Sequence, residues 1–93
     1  MDLYVIRRRG AWANMEEVRA ASDTSRQVGE EMSDQIRWIR SYVVNESDGR
    51  IGSVCIYQAR DEDSLHEHGR RIGAPGEEIS LVVTTAIARP DPT

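Results

Sequence analysis

The chain has 93 residues and a mass of 10.5 kDa, which is enough for one small domain and excludes two separate cores. Hydrophobic residues make up 39% of the sequence and charged residues 30%. Because the hydrophobic residues recur periodically, this composition excludes a disordered or membrane-spanning chain. The net charge of −4 does not favour a nucleic-acid-binding surface. The chain starts without a signal-peptide pattern and has a single cysteine, Cys55, so we expect a cytoplasmic protein.

The first two predicted elements are a strand and a helix. The strand begins at Leu3 and ends at Gly10. The basic run at residues 7–9 indicates a solvated strand end, with phosphate binding as the less favoured alternative. Asn14 is a good N-cap for the helix, and Glu17 follows three residues later as in a capping box. Beyond this cap, small and apolar residues at steps of three or four predict one narrow buried face: Met15, Val18, Ala21, Ser25, Val28 and Met32.

A β-hairpin follows the first helix. Residues 36–44 are rich in β-branched and aromatic side chains, and strict alternation places Trp38 and Tyr42 on the same face of that strand. A polar connection with an Asp-Gly signal then predicts a return strand over residues 51–58.

The second helix has the clearest end signals in the chain. Asp61 is its predicted N-cap, and Gly73 with Pro75 ends it. Acidic residues occupy its first turn and arginines its last turn, as the helix dipole favours. A final strand is predicted over residues 79–88, followed by a flexible tail over residues 89–93.

The order strand, helix, strand, strand, helix, strand predicts a single domain over residues 1–93 with a ferredoxin-like α+β sandwich, in which two helices cover one face of an antiparallel sheet. The strands carry apolar residues on both faces, so the face opposite the helices requires a partner. In so short a chain we expect the partner to be a second copy. Two sheets would then pack face to face in a homodimeric α+β barrel.

His68 is the first candidate for chemistry. Helical periodicity places it on the inward stripe of the second helix together with Leu65 and Ile72. It is either a core histidine bonded to a backbone carbonyl, or a metal ligand or proton carrier. His66 projects about 200° away on the same helix, so the two imidazoles cannot chelate one ion unless the helix frays. Which of the two histidines is functional stays open at this point.

A metal site at His68 needs further ligands from the sheet or from a second subunit. Cys55 and Tyr42 are the sheet residues available for it. A thiolate combined with an imidazole suits nickel, zinc or copper. A lone cysteine such as Cys55 is, however, more often a small buried hydrophobic residue.

Two other functions compete with metal binding. In one, the protein is a cofactor-independent oxygenase or isomerase of the dimeric barrel kind, with His68 as general base and Tyr42 or Tyr57 positioning a small apolar substrate. That function predicts a pocket between helix and sheet lined by Trp38, Tyr42 and Ile56. In the other, the chain is a structural module without a small ligand, and the histidines and Cys55 affect stability alone.

Three sequence motifs resemble those of one bacterial family of small proteins of unknown function, which includes a Streptomyces nickel-binding protein. The resemblance spans essentially the whole chain and is strongest from Arg37 to Ile79. Its most specific part is a Cys-x-Tyr-x-Ala strand followed by Glu-His-x-Arg-x-x-Gly-x-Pro. The motifs stand in this sequence as Ser41-Tyr42-Val43, as Cys55-Ile56-Tyr57-Gln58-Ala59, and as the run from Glu67 to Pro75.

This resemblance implies a ferredoxin-like homodimer that binds nickel for sequestration or sensing, with other divalent transition metals as alternatives. It makes four residues candidate metal ligands: Tyr42, Cys55, Glu67 and His68. It implies no catalytic residue.

Overall fold

The computed structural model describes residues 1–76 and 78–92. Its helices and strands follow the predicted order: β1 Asp2–Trp12, α1 Met15–Glu31, β2 Ile36–Asn45, β3 Ile51–Ala59, α2 Glu62–Ile72 and β4 Glu78–Leu81.

In this described part of the chain, the strands form one sheet in the order β2-β3-β1-β4, and every neighbouring pair is antiparallel. One face of the sheet, the inner face, packs against the helices. The other, the outer face, carries Val5, Tyr42 and Ile56. The predicted α+β class and antiparallel sheet are confirmed. The core between sheet and helices consists of Tyr4, Ile6, Val28, Met32, Ile36, Cys55, Tyr57, Ala59 and Leu65.

Both helices begin at the predicted capping residues. The Asn14 side chain accepts a hydrogen bond from the backbone N–H of Glu17 at 3.0 Å, and the Glu17 carboxylate accepts from the N–H of Ala13 at 2.9 Å. Asp61 likewise accepts from the backbone N–H of the third helical residue of α2, at 2.8 Å. Gly73 ends α2 in the left-handed conformation with φ 70°, which glycine adopts without strain.

β1 continues past the predicted end at Gly10 and reaches Trp12. Gly10 takes φ 55°, so the strand passes through an irregularity there and pairs again with β3 at Trp12. The loop between β2 and β3 forms hydrogen bonds with both backbone groups of Gly10. The N–H of Gly10 donates to the Glu46 carboxylate at 2.7 Å, and the carbonyl of Gly10 accepts from the Arg50 side chain at 2.7 Å. The predicted strand end is therefore wrong, because glycine here supplies a bend within the strand.

β2 contains a bulge at Ile39. Trp38 and Arg40 pair with consecutive residues of β3, so Ile39 has no partner across the ladder. Beyond the bulge the alternation of side chains is reversed. Tyr42 therefore points to the outer face, while Trp38 stays on the inner face. The prediction that Trp38 and Tyr42 share a face is wrong for this reason.

β4 is shorter than the predicted strand over residues 79–88. It runs antiparallel to β1, and Leu81 already lies opposite Tyr4. One more backbone hydrogen bond, from the N–H of Val82 to the carbonyl of Leu3 at 2.8 Å, brings the pairing close to the beginning of β1. The apolar residues that follow have almost no partner strand left, which explains why the strand stops.

The C-terminal segment, residues 82–92, crosses the outer face of the sheet after leaving β4. At its far end, Asp91 accepts hydrogen bonds from Arg40, at 2.9 Å, and from the hydroxyl of Tyr42, both on β2. The predicted flexible tail thus includes a residue that contacts the sheet. Thr93, the last residue of that tail, lies outside the described residues.

Gly52 marks a close approach between β3 and its neighbours. A Cβ at this position would lie 2.5 Å from the backbone oxygen of Arg8 and 2.5 Å from a carboxylate oxygen of Glu46. We expect Gly52→Ala to lower the free energy of unfolding by about 1–3 kcal/mol because of this overpacking. Urea unfolding measures the change.

Gly29 provides the matched control for that substitution. A Cβ there meets no atom within 4 Å beyond its chain neighbours and the backbone of its own helix, and the residue lies inside α1. Gly29→Ala should therefore raise the free energy of unfolding by about 0.5–1 kcal/mol. A Gly52→Ala protein as stable as the wild type would contradict the close approach at β3.

Candidate functional site

A cavity of about 40 Å³ lies between the helices and the inner face of the sheet. Its walls come from β1, α1, β2, β3 and α2, and most of its polar groups are hydroxyls. The side chains that matter for its chemistry are Arg8, Ser25, Trp38, Ser53, Cys55 and Tyr57.

Arg8 is the cationic group of this cavity and is 4% exposed. Its Nε donates to the carbonyl of Ala74 at 2.8 Å, and its Nη1 donates to the sulfur of Cys55 at 3.5 Å. Its Nη2 has no hydrogen-bond partner in residues 1–76 and 78–92. The neighbouring arginines of β1 differ in this respect, because Arg7 pairs with Glu46 and Arg9 pairs with Glu78.

The basic run at residues 7–9 is not a solvated strand end throughout, because Arg8 is buried. The signal that identifies it is the alternation along β1. Tyr4 and Ile6 are buried on the inner face, and Arg8 occupies the next position on that face. A residue two positions beyond a buried apolar pair should be expected inside, whatever its charge.

Cys55 is buried on the same face, with the guanidinium of Arg8 beside its sulfur. Its thiol also donates to the hydroxyl of Ser53 at 3.4 Å. A positive charge this close disfavours the approach of a metal cation to the sulfur.

His68 points inward, as helical periodicity predicts, and its side chain is fully buried. Its Nε2 lies 3.3 Å from the backbone carbonyl of Ser25, and its ring packs at 5.4 Å from the ring of Tyr57. A carbonyl oxygen only accepts, so Nε2 carries the proton and Nδ1 carries a lone pair. Nδ1 has no partner among the described residues. Burial lowers the pKa of His68, which favours the neutral ring.

Tyr57 joins the histidine to the rest of the core. Its hydroxyl lies 3.1 Å from the hydroxyl of Ser25, and its ring stacks on Trp38 with the two planes 7° apart. Burial raises the pKa of Tyr57, so its phenol stays protonated and can donate a hydrogen bond.

His66 lies on the exposed side of α2, away from His68. Its Nε2 is 3.4 Å from the carboxylate of Glu62, one helical turn earlier. The predicted separation of the two histidines is therefore observed, and α2 is continuous through both of them.

The four predicted metal ligands lie in three places. Cys55 and His68 face the layer between the helices and the sheet, whereas Tyr42 lies on the outer face with Asp91. Glu67 lies at the helix surface, where its carboxylate accepts from Arg70 at 2.7 Å. The structure does not bring Tyr42 or Glu67 to His68.

These positions decide how well the residues of one chain fit a nickel ion. The unpartnered Nδ1 of His68 is a suitable single ligand, because it carries a lone pair. Among the described residues, however, no group of three or more His, Cys, Asp or Glu side chains could hold a metal ion. One chain therefore does not present a complete nickel site in its described part.

The pocket predicted for an enzyme is not formed by its three expected residues. Trp38 lines the inner cavity, while Tyr42 and Ile56 line a groove on the outer face, because the bulge in β2 separates them. Pockets for small-molecule substrates have volumes of about 300 Å³ or more. The inner cavity, with about 40 Å³, is too small for such a compound.

No helix in the described ranges is both long enough and apolar enough to cross a membrane.

The fold and the buried residues define a small α+β protein with two helices on one face of an antiparallel sheet. The chain belongs to the SCO4226-like family, since the family described as "Nickel responsive protein SCO4226-like" matches residues 4–82. The solved structure of SCO4226 from Streptomyces coelicolor A3(2) is similar, with 15% sequence identity and a TM-score of 0.74. The match covers 90% of this chain and 99% of that one.

At this level of identity, the likeness to the solved structure shows the fold alone. A comparison with curated proteins gives no match. The resemblance stated from the motifs is confirmed by the family match.

Proposed function

We propose that the protein is a cytoplasmic, ferredoxin-like homodimer that binds a divalent transition metal, nickel before others, for sequestration or sensing. The observation that carries this proposal is the match of residues 4–82 to a nickel-responsive family. The strand order β2-β3-β1-β4 supports the ferredoxin-like part, because two βαβ units interleave in this order.

The outer face of the sheet supports the homodimer. A groove of about 870 Å³ separates this face from the C-terminal segment, and apolar side chains such as Val5 and Ile56 line it. Protein interiors are close-packed, so one chain does not fill this space. Val83 and Ile87 of the C-terminal segment are 95% and 75% exposed. The sheet of a second copy would fill the groove and cover these side chains.

His68 is the ligand that we propose for the metal. A histidine that binds a metal through one ring nitrogen usually donates the N–H of the other to a carbonyl or carboxylate. In the same way, the Nε2–H of His68 donates to the backbone carbonyl of Ser25. Its Nδ1 then has a fixed lone pair. Cys55, Tyr42 and Glu67 stay in the proposal as further candidates, each to be tested by its own substitution.

Nickel binding to single-residue variants tests this assignment. Removing a metal ligand should weaken nickel binding at least about tenfold, so we expect that loss in His68→Ala. His66→Ala is the matched control, because it removes an exposed imidazole from the same helix, and its affinity should equal that of the wild type. Equilibrium dialysis against nickel measures both, and circular dichroism verifies the fold.

The pattern of losses distinguishes the possible ligands. Unchanged affinity in a folded His68→Ala protein would remove His68 from the site. A loss in His66→Ala instead would assign the metal to the exposed pair of His66 and Glu62. Tyr42→Phe should bind nickel as the wild type does if His68 acts without the outer face.

A further inference from the structure

We propose that the cavity between the helices and the sheet binds a small monovalent inorganic anion, such as chloride, against the guanidinium of Arg8. This site is separate from nickel binding and does not depend on it.

Arg8 carries a buried charge at the wall of the cavity. A buried ion is costly unless it is paired, because it loses the hydration that water supplies. Arg8 is 4% exposed, and no ion pair joins it to a carboxylate in the described part of the chain. Its Nε donates to a carbonyl and its Nη1 to a sulfur, whereas its Nη2 has no partner among the described residues. No described carboxylate therefore compensates the charge of Arg8.

The walls of the cavity carry hydroxyl groups that can donate hydrogen bonds. Ser41 accepts a hydrogen bond from the indole of Trp38 at 2.9 Å, so its own hydroxyl hydrogen stays free to donate. Ser53 accepts from the thiol of Cys55 at 3.4 Å and keeps its hydrogen free in the same way. No aspartate or glutamate is among the described residues that line the cavity. A buried cation that shares a cavity with hydroxyl donors favours an anion over a cation.

The size of the cavity limits what can bind there. A cavity of about 40 Å³ has room for a few water-sized particles at most. A single guanidinium compensates one negative charge. A small monovalent ion therefore fits both the space and the charge.

The chain contains its own reporter for this site. Its two tryptophans, Trp12 and Trp38, both line the cavity, so an anion bound there changes the environment of an indole. We would replace gluconate, which is too large for the cavity, by chloride at constant ionic strength in metal-free protein containing EDTA. The wild type should show a saturable change in tryptophan fluorescence, together with a melting temperature that rises with chloride concentration.

Substitutions on β1 identify the residue responsible. Arg8→Met keeps a long side chain without charge. Its saturable change in tryptophan fluorescence should be lost, or should require at least about tenfold more chloride, because a charge-assisted contact has been removed. Arg9→Gln is the matched control. It removes an exposed arginine that pairs with Glu78 on the surface, and it should titrate as the wild type does. Should Arg8→Met fail to fold, Arg8→Lys against Arg9→Lys gives the same comparison, with weaker chloride binding expected for Arg8→Lys alone.

Three results would overturn the proposal. The first is a wild type whose fluorescence and melting temperature do not depend on chloride at constant ionic strength. The second is an unchanged chloride titration in folded Arg8→Met. The third is a chloride response that appears only in Cys55→Ser, because the Cys55 thiolate would then be the partner of Arg8. Nickel binding in the same preparations is a separate measurement, so failure here leaves the metal proposal untouched.

Discussion

If the protein is the proposed homodimer, replacing Ile56 by arginine should convert it to a monomer of 10.5 kDa. Ile56 lies near the middle of β3 and lines the groove on the outer face. In the proposed homodimer the new charge would be buried between two sheets, which costs several kcal/mol per ion. Because about 1.4 kcal/mol of binding free energy corresponds to a tenfold change in the dissociation constant, the dissociation constant of the dimer should rise about 100-fold or more. Sedimentation equilibrium measures the mass.

A matched variant separates this effect from a general effect of added charge. Gln27 is exposed on α1, on the opposite side of the sheet, so Gln27→Arg should remain a dimer. A wild type that sediments as a monomer at micromolar concentration would contradict the homodimer. So would an Ile56→Arg protein that keeps its dimeric mass.

The stability of the metal-free protein should fall when the pH drops below about 6.5, the pKa of histidine in an unfolded chain. Burial lowers the pKa of His68 in the folded protein. Between the two pKa values, the unfolded chain therefore binds a proton that the folded chain does not. The free energy of unfolding should decrease with a slope of up to about 1.4 kcal/mol per pH unit, out of a total of about 5–15 kcal/mol.

Urea unfolding between pH 7.5 and about 5.5 tests this expectation, since most carboxylates stay ionised in that range. His68→Gln should flatten the slope, whereas His66→Gln, which removes the exposed histidine, should keep it. If His68→Gln does not fold, the NMR titration of the two imidazoles in the wild type gives the answer directly. A pKa of His68 at or above that of a free histidine would contradict the effect of burial.

Local signals in the sequence predicted the helix boundaries well. Asn14, Asp61 and Gly73 each act through hydrogen bonds or backbone angles within a few residues of themselves, so the sequence around them is sufficient. The inward direction of His68 follows in the same way from its spacing along α2.

Features that depend on residues distant in the chain were not predicted. The bulge at Ile39 requires knowledge of which β3 residues lie opposite, and it alone decides that Tyr42 leaves the face of Trp38. The length of β4 depends on where β1 begins. Both errors arise because strand pairing is a long-range property.

The candidate site depends on local signals and on contacts between residues that are distant in the chain. Periodicity identified His68 and placed Cys55 in a strand, but the partners of each came from other elements. The carbonyl of Ser25 on α1 fixes the tautomer of His68, and Arg8 on β1 places a positive charge beside Cys55. Tyr42 and Glu67 belong to the motifs of the family, yet the fold places them away from the histidine.

The most direct test of the proposed function is a calorimetric titration of the tag-free wild type with nickel, followed by zinc, at a known protein concentration. We expect binding at micromolar affinity or tighter, with a fixed number of nickel ions per proposed dimer and weaker binding of zinc. The absence of binding heat and of any bound nickel on dialysis would contradict it. Membership of the nickel-responsive family would then describe the fold of this chain and not its ligand.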